Sequence, residues 1–199
     1  MTAHKILEDD ALDALFREAR TFRAWQKRDV TDVLIKAVYD LAKLGPTAAN
    51  CSPARFVFIQ SAEAKERLKP HLDKGNVDKT MSAPLTAIIA YDTQFYDFMP
   101  QLYPQSPHAR DWYAGKPAVI EETALRSGSL QGAYLMLAAR ALGLDCGPMS
   151  GFNKDGINCE FFADGRWKVN FLCNIGFGDA TGMPARGPRL PFDQACQIL

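Results

Sequence analysis

The sequence lacks a surplus of charge of either sign. Lys and Arg together number 23, Asp and Glu also number 23, and the 199-residue chain is therefore neutral at pH 7. A neutral chain has no net field to attract nucleic acid or an anionic membrane. No apolar run approaches the roughly 18 to 20 residues that cross a bilayer, and residues 1–10 lack the pattern of a secretory signal. We therefore expect a cytoplasmic protein that binds neither nucleic acid nor membrane.

Clusters of metal-ligating or nucleophilic side chains are also missing. The histidines, His4, His71 and His108, have no ligand spacing and indicate neither a metal site nor a His-based triad. No G-x-G-x-x-G joins a strand to a helix, and no P-loop sequence is present. If the chain is an enzyme, a cofactor must therefore supply the chemistry. The cysteines never form a C-x-x-C pair, so we expect reduced, buried thiols at Cys51, Cys146, Cys159, Cys173 and Cys196.

The residues that are present predict a single α+β domain over residues 1–199. The chain is 47% hydrophobic and 23% charged, as is typical of a globular protein. Runs of β-branched and aromatic residues predict strands at 55–60, 85–92 and 167–178. The stretch 147–152 (GPMSGF) is expected to be a loop. Helical spacing of apolar residues predicts helices at about 9–19, 31–44, 61–72, 77–81, 117–142 and 153–162.

Two segments have a composition that either structure or function could explain. Residues 94–116 are crowded with aromatic side chains and interrupted by prolines. They fit either a satellite cluster over the core or a wall or lid of a ligand pocket. Small residues at 127–133 lower the helix propensity in the middle of the helix at 117–142. Close approach of another element would compensate, so we expect this helix to be central.

Cations that could hold an anion lie near both ends of the chain. Arg20, Thr21 and Arg23 place two guanidinium groups and a hydroxyl within four residues, and arginine forks match phosphate geometry. Arg186 and Arg189 lie in a glycine- and proline-rich tail that can wrap around a ligand. Taken alone, an arginine pair at a helix end, such as Arg20 with Arg23, is more typical of a solvated surface.

Two turns rich in small residues could bring bare backbone close to a ligand. The first, residues 45–53, is longer than a helix-to-strand turn requires and carries Thr47, Asn50 and Ser52 as polar groups. The second, residues 147–152, has glycines beside which backbone N–H groups can be presented. The first turn is equally compatible with a purely structural connection.

Together these segments resemble the nitroreductase family of flavoproteins. That family carries R-S-x-R after the first helix, P-S-x-x-N before the first strand, a P-x-x-G-F-type loop late in the chain and a basic tail. The stretches GPTAANCSPARFVF and RALGLDCGPMSGF are also similar to its malonic semialdehyde reductase subfamily. The matching positions, in the same order across essentially the whole chain, are Arg20-Thr21-Phe22-Arg23, Pro46-Thr47-Ala48-Ala49-Asn50, Pro148-Met149-Ser150-Gly151-Phe152, and Arg186 with Arg189.

The resemblance implies a nitroreductase-like α+β fold, in which helices flank an antiparallel or mixed sheet and two chains form an intertwined homodimer. It implies FMN as the cofactor, NADH or NADPH as the electron donor and a small molecule as the substrate. No side chain would be catalytic, because hydride would pass through flavin N5 in a ping-pong cycle. The backbone of Ser150 and Gly151 would lie near that atom.

The resemblance also assigns residues to the cofactor. Arg20, Thr21, Arg186 and Arg189 would hold the FMN phosphate, and Arg23 would lie near the pyrimidine edge of the ring. The remaining contacts would come from the two turns and one helix. Thr47, Asn50 and Ser52 would act across the dimer interface, and Pro46, Asn76, Pro148, Met149, Ser150 and Gly151 would add further contacts.

The expected reaction is the reduction of malonic semialdehyde to 3-hydroxypropanoate in pyrimidine breakdown. A broad nitro, quinone or enal reductase is an alternative, and so is a flavin-binding protein without turnover. A carboxylate-bearing substrate should need a cation near the flavin. Arg55, Arg110 and Arg126 are the candidates for that cation.

Overall fold

A four-stranded antiparallel sheet forms the centre of the structure. The computed structural model describes residues 5–199. The strands lie in the order β1-β2-β4-β3, and every neighbouring pair is antiparallel. The α+β prediction and the three predicted strands are thereby confirmed. The strands are β1 (Ala54–Ile59), β2 (Leu85–Asp92), β3 (Asp145–Met149) and β4 (Trp167–Gly176).

Strand β3 corrects the prediction of a loop at residues 147–152. Pro148 and Met149 belong to the strand, and only Ser150 and Gly151 follow it. Proline lacks a backbone N–H, but an edge strand tolerates it, and β3 lies at the end of the strand order. Pairing with β4 therefore overrides the turn-like composition of the segment.

Eight α-helices within residues 5–199 surround the sheet. Side-chain oxygens of Thr31, Ser61 and Asn153 accept hydrogen bonds at three of their N-termini, as N-caps do. The first helix is shorter than predicted and continues as a π-helical turn, Asp13–Arg17. The helices are α1 (Asp9–Leu12), α2 (Asp32–Ala42), α3 (Ala62–Leu68), α4 (Lys74–Met81), α5 (Met99–Leu102), α6 (Pro117–Ala141), α7 (Lys154–Phe161) and α8 (Phe192–Ala195).

The long helix α6 is central, as its small residues suggested, and it packs on the sheet. A methyl group at Gly132 would lie 2.6 Å from the ring of Phe171 in β4, and one at Gly128 would lie 3.4 Å from Cβ of Tyr91 in β2. Strand β2 is buried along its whole length. The small residues of α6 therefore let the helix approach the two central strands.

The aromatic segment, residues 94–116, forms a satellite core. Phe95, Met99 and Tyr113 are buried together with Tyr91 and Ala124. The rings of Phe95 and Tyr113 meet edge to face, with 4.9 Å between their centroids. The first of the two interpretations of this segment is thereby confirmed.

The five cysteines are divided between the interior and the surface. Cys51, Cys146 and Cys173 are buried free thiols as expected, whereas the prediction of burial is wrong for the exposed Cys159 and Cys196. No helix between residues 5 and 199 combines the length and apolar character needed to span a bilayer. His4 lies outside the described residues.

Candidate functional site

A cavity of about 600 Å³ brings the two ends of the chain together, and we call it the arginine cavity. Its lining contains five arginines against one acid, Asp179. In a chain with no net charge, this is a strong local surplus of positive charge, suited to an anion with several oxygens. The five arginines are Arg20, Arg23, Arg140, Arg186 and Arg189, and Thr21 lies among them.

The segment 20–23 reaches the cavity because it pairs with the edge strand β3. Thr21 forms an isolated parallel bridge with Cys146, and Phe22 N donates to Cys146 O at 3.0 Å. A methyl group at Gly147 would lie only 2.5 Å from Phe22 O. Glycine at this position is therefore what allows the arginine segment to lie against the sheet.

The tail reaches the cavity through hydrogen bonds from arginines to backbone carbonyls. Arg20 Nη2 donates to Pro184 O, and Arg186 Nη2 donates to the carbonyls of Arg17 and Ala19, the latter at 2.8 Å. Each segment thus donates to the other. Because a guanidinium carries five N–H groups, donors remain for a ligand.

Arg140 is a cavity residue that the sequence analysis missed. It lies in the last turn of α6, and its Nη1 donates a long bond of 3.3 Å to Leu15 O. Its buried Nε has no hydrogen-bond partner among the described residues. In the sequence, Arg140 looks like an ordinary basic residue near a helix C-terminus, where cations are favoured.

A second group of predicted residues lies where α4 meets the turn after β3. Asn76 Nδ2 donates to Gly151 O at 2.6 Å, joining α4 to the turn after β3. Lys79, one turn further along α4, has a pKa lowered by burial and by the nearby charge of Arg23. Lys79 is not among the predicted site residues, although its i, i+3 spacing from Asn76 places the two on one helix face.

The polar turn, residues 46–53, has an unusual backbone. Ala49, Asn50 and Ser52 have φ angles of 48°, 53° and 39°, in the left-handed region that β-carbon sterics disfavour. Ser52 N donates to Thr47 Oγ1 at 3.1 Å, which closes the turn on itself. Asn50 Nδ2 donates to Leu102 O of the aromatic segment at 2.8 Å. Such strain persists only where surrounding contacts hold it, and it is concentrated at functional sites.

Helix α6 supplies those contacts. Ala48 N donates to Ser127 Oγ at 3.4 Å, and Ala54 N donates to Gln131 Oε1 at 2.8 Å. Ser127 and Gln131 are both buried. The polar turn is therefore anchored at the middle of α6.

An apolar groove of about 730 Å³ lies beside the polar turn. It follows the free edge of β1, between α2 and the aromatic segment. Ser52 lines the groove, whereas Pro46, Thr47 and Asn50 do not. Its apolar walls are Ile35, Tyr39, Phe56, Phe58, Phe98 and Leu102.

One subunit does not bring all the predicted site residues together. The arginine cavity and the apolar groove share no lining residue. Arg140 follows Ser127 by 13 positions in α6, which corresponds to about 20 Å along the helix axis. Arg20, Thr21, Arg23, Arg186 and Arg189 therefore form one group that lines the arginine cavity. Asn76 and Gly151 are joined to each other by a hydrogen bond, and Pro46, Thr47, Asn50 and Ser52 lie apart from the cavity.

The three arginines considered for a substrate carboxylate already have acidic partners. Arg55 pairs with Asp92 at 2.7 Å, and Arg166 also binds Asp92. Arg110 pairs with Asp97 and Arg126 with Glu122. Within one subunit, an acidic partner therefore balances the charge of each of the three.

Comparison with known proteins identifies the family. The sequence profile of the nitroreductase family matches residues 16–177. The chain belongs to the nitroreductase family. Its relatives in Rhodopseudomonas palustris and Ralstonia nicotianae, both provisionally named NADH dehydrogenase/NAD(P)H nitroreductase, are 58% and 55% identical to it. Each alignment covers 97% of this chain and 98% of the relative.

A solved structure supports the same assignment at the level of the fold. A provisionally named nitroreductase from Exiguobacterium sibiricum, solved in complex with FMN, superposes with a TM-score of 0.83 at 22% identity. The superposition covers 100% of both chains. The nitroreductase-like fold implied by the sequence motifs is thereby confirmed.

Proposed function

We propose that this nitroreductase-family chain is an FMN-dependent oxidoreductase that uses NADH or NADPH as its electron donor. The observation that carries the proposal is the arginine cavity, in which five arginines converge within a neutral chain. A dianionic phosphate ester is the ligand that matches this charge. A relative binds FMN, and others are named for NAD(P)H, which supports the choice of cofactor and donor.

The residues present fit FMN, with one group suited to its phosphate and another suited to its flavin ring. Arg20, Thr21, Arg186 and Arg189 would hold the phosphate, and each well-made charge-assisted bond contributes about 1.5–3 kcal/mol. Arg23 and Lys79 would hold positive charge near the ring, where reduction places negative charge. Bound FMN would supply hydride transfer, so no protein nucleophile is required.

We further propose a homodimer in which the polar turn of one subunit completes the cofactor site of the other. The single chain exposes 12,165 Å², whereas a compact monomer of 22.0 kDa exposes about 9,300 Å² by size scaling. Val33, in the first turn of α2, and Leu44, two residues after its end, are 78% and 73% exposed. Most of the tail, residues 179–199, is also exposed. This excess apolar and backbone surface is what a partner subunit would cover.

For the substrate, we propose malonic semialdehyde, reduced to 3-hydroxypropanoate in pyrimidine breakdown. The subfamily motifs around the polar turn and β3 support it. A broad nitro, quinone or enal reductase is the second candidate. It is favoured by the acidic partners of Arg55, Arg110 and Arg126, which balance the charge of each of these three candidates for a substrate carboxylate.

Anaerobic half-reactions test this proposal. Protein reconstituted with FMN is mixed with NADH or NADPH, and bleaching of the flavin absorbance is followed. The reduced protein is then mixed separately with malonic semialdehyde, a quinone and a nitroaromatic compound. We expect the nicotinamide to bleach the flavin and the semialdehyde to reoxidise it fastest. In steady-state assays, double-reciprocal plots should give parallel lines, as a ping-pong cycle requires.

Three other outcomes have separate meanings. Protein that cannot be reconstituted with FMN would overturn the cofactor assignment. Bound flavin that no nicotinamide reduces would indicate a binding protein without turnover. Faster reoxidation by the quinone or nitroaromatic compound would favour the broad reductase.

A further inference from the structure

Side chains from three other parts of the chain donate hydrogen bonds to backbone carbonyls in the last turn of α4. We call this arrangement the α4 clamp. Trp25 Nε1 and Asn174 Nδ2 both donate to Lys79 O, at 3.0 and 3.2 Å. Lys65 Nζ donates to Thr80 O at 2.7 Å and also to Ala83 O. Carbonyls at a helix C-terminus have no partner within the helix, and here side chains satisfy them.

The clamp continues into a buried polar network beneath the helix. Thr86 Oγ1 donates to Asn174 Oδ1 at 2.8 Å, and Asn174 Nδ2 lies 3.3 Å from Thr80 Oγ1. Thr80, Thr86 and Asn174 are fully buried. A buried network in which every member is paired fixes one arrangement of its parts, since any shift leaves a polar group unpaired.

Lys65 is the least expected member of this network. Its side chain comes from α3, is only 5% exposed and forms no ion pair among the described residues. Burial lowers the pKa of Lys65 to about 8. A buried ammonium is costly unless it is hydrogen-bonded, and that of Lys65 is bonded to the carbonyls of Thr80 and Ala83 just at the end of α4.

The clamped helix carries two residues that we assign to the flavin, Asn76 and Lys79. Asn76 bonds the carbonyl of Gly151, and Lys79 lies near enough to Arg23 for the two charges to repel. The bonds to Lys79 O and Thr80 O hold the backbone at that point.

We propose that Lys65 is a positioning residue, which together with Trp25 and Asn174 fixes the end of α4 so that Asn76 and Lys79 hold the ring end of the flavin. This inference rests on the proposed function. It assigns Lys65 to the ring and not to the phosphate, because Lys65 bonds carbonyls at the end of α4, whereas the phosphate arginines lie on the N-terminal segment and the tail.

Binding of FMN and of riboflavin, which lacks the phosphate, tests the inference. Dissociation constants are measured by flavin fluorescence for the wild-type protein, Lys65→Met, Lys79→Met and the double variant. Lys69→Met is the matched control, since Lys69 is exposed one turn away and pairs with Glu66. We expect Lys65→Met to weaken FMN and riboflavin by the same factor, about tenfold, which corresponds to about 1.4 kcal/mol. Lys69→Met should change neither constant.

The double variant separates positioning from general destabilisation. If Lys65 acts through Lys79, adding Lys65→Met to Lys79→Met should weaken binding less than it does in the wild-type protein. Fully additive effects, or a loss confined to FMN, would overturn the inference.

If Lys65→Met does not fold, Trp25→Phe decides the question, because it removes a donor to Lys79 O and keeps an aromatic ring. Unchanged riboflavin affinity in that variant would overturn the inference, and an equal loss for both flavins would support it. Wild-type protein that binds no flavin would instead refute the proposed function.

Discussion

The arginine cavity and the polar turn are built by different physical means. In the cavity, long cationic side chains on exposed segments donate to backbone carbonyls and keep donors for a ligand. In the polar turn, short residues adopt left-handed backbone angles, and buried groups of α6 hold them. The comparison teaches that the first region suits recognition by charge and the second recognition by shape. We regard them as two halves of one proposed site, contributed by different subunits.

The largest expected effect comes from breaking the support of the arginine cavity. Gly147→Ala would place a methyl group 2.5 Å from Phe22 O, a backbone atom that can move only with its whole segment. We expect the segment 20–23 to leave β3, FMN affinity to fall by about a hundredfold or more, and the free energy of unfolding to fall by about 1–3 kcal/mol. Flavin fluorescence and urea denaturation measure the two quantities.

Gly75→Ala is the control for this variant. Gly75 lies in α4 with no atom within 4 Å of the added methyl group, so alanine should be neutral or mildly stabilising. If Gly147→Ala binds FMN as tightly as the wild-type protein does, the pairing with β3 is not what supports the cavity.

The next effect is the loss of one phosphate donor. Arg20→Ala should weaken FMN binding by about 10- to 150-fold, the change that 1.5–3 kcal/mol makes, while riboflavin binding stays the same. Arg17→Ala is the matched control, because the Arg17 side chain pairs with Asp9 and Asp13. An unchanged FMN dissociation constant in Arg20→Ala would remove Arg20 from the phosphate site.

A mixing experiment tests whether the two regions meet across a dimer. Subunits carrying Arg20→Ala are mixed with subunits carrying Asn50→Ala, after each variant alone has been shown to bind FMN weakly. In a mixed dimer with shared sites, one site has both defects and the other has neither. Random exchange should then restore wild-type affinity at about a quarter of all sites. If no tight sites appear although subunits exchange, Arg20 and Asn50 do not share a site across the interface.

The smallest expected effect comes from relieving the strain of the polar turn. Ala49 has a φ angle of 48°, which glycine adopts without a steric penalty. We expect Ala49→Gly to raise the free energy of unfolding by up to about 1 kcal/mol, because the relieved strain exceeds the added chain entropy. Ala48→Gly, one residue earlier and not at positive φ, should be destabilising. A loss of stability in Ala49→Gly would show that the turn is not strained at this residue.

The parts of the fold that follow from local pattern were predictable. Strands β1, β2 and β4 come from β-branched and aromatic runs, and α2 begins at the N-cap Thr31. Strand β3 was not predictable, because Asp-Cys-Gly-Pro-Met has neither alternation nor strand propensity. The α4 clamp was not predictable either, since Trp25, Lys65 and Asn174 are far apart in the sequence and meet only when the sheet has formed.

The sequence by itself determined which elements form and which residue types are available for a site. Periodicity and capping act within a few residues, so they can be read along the chain. Only the tertiary structure decided which of those residues meet. Arg20 reaches the tail at Pro184 because the segment 20–23 pairs with β3, and the polar turn lies elsewhere because α6 anchors it at its middle. Hydrogen bonds between distant segments have no local pattern, and for that reason the residues that one subunit brings together become visible only in the folded chain.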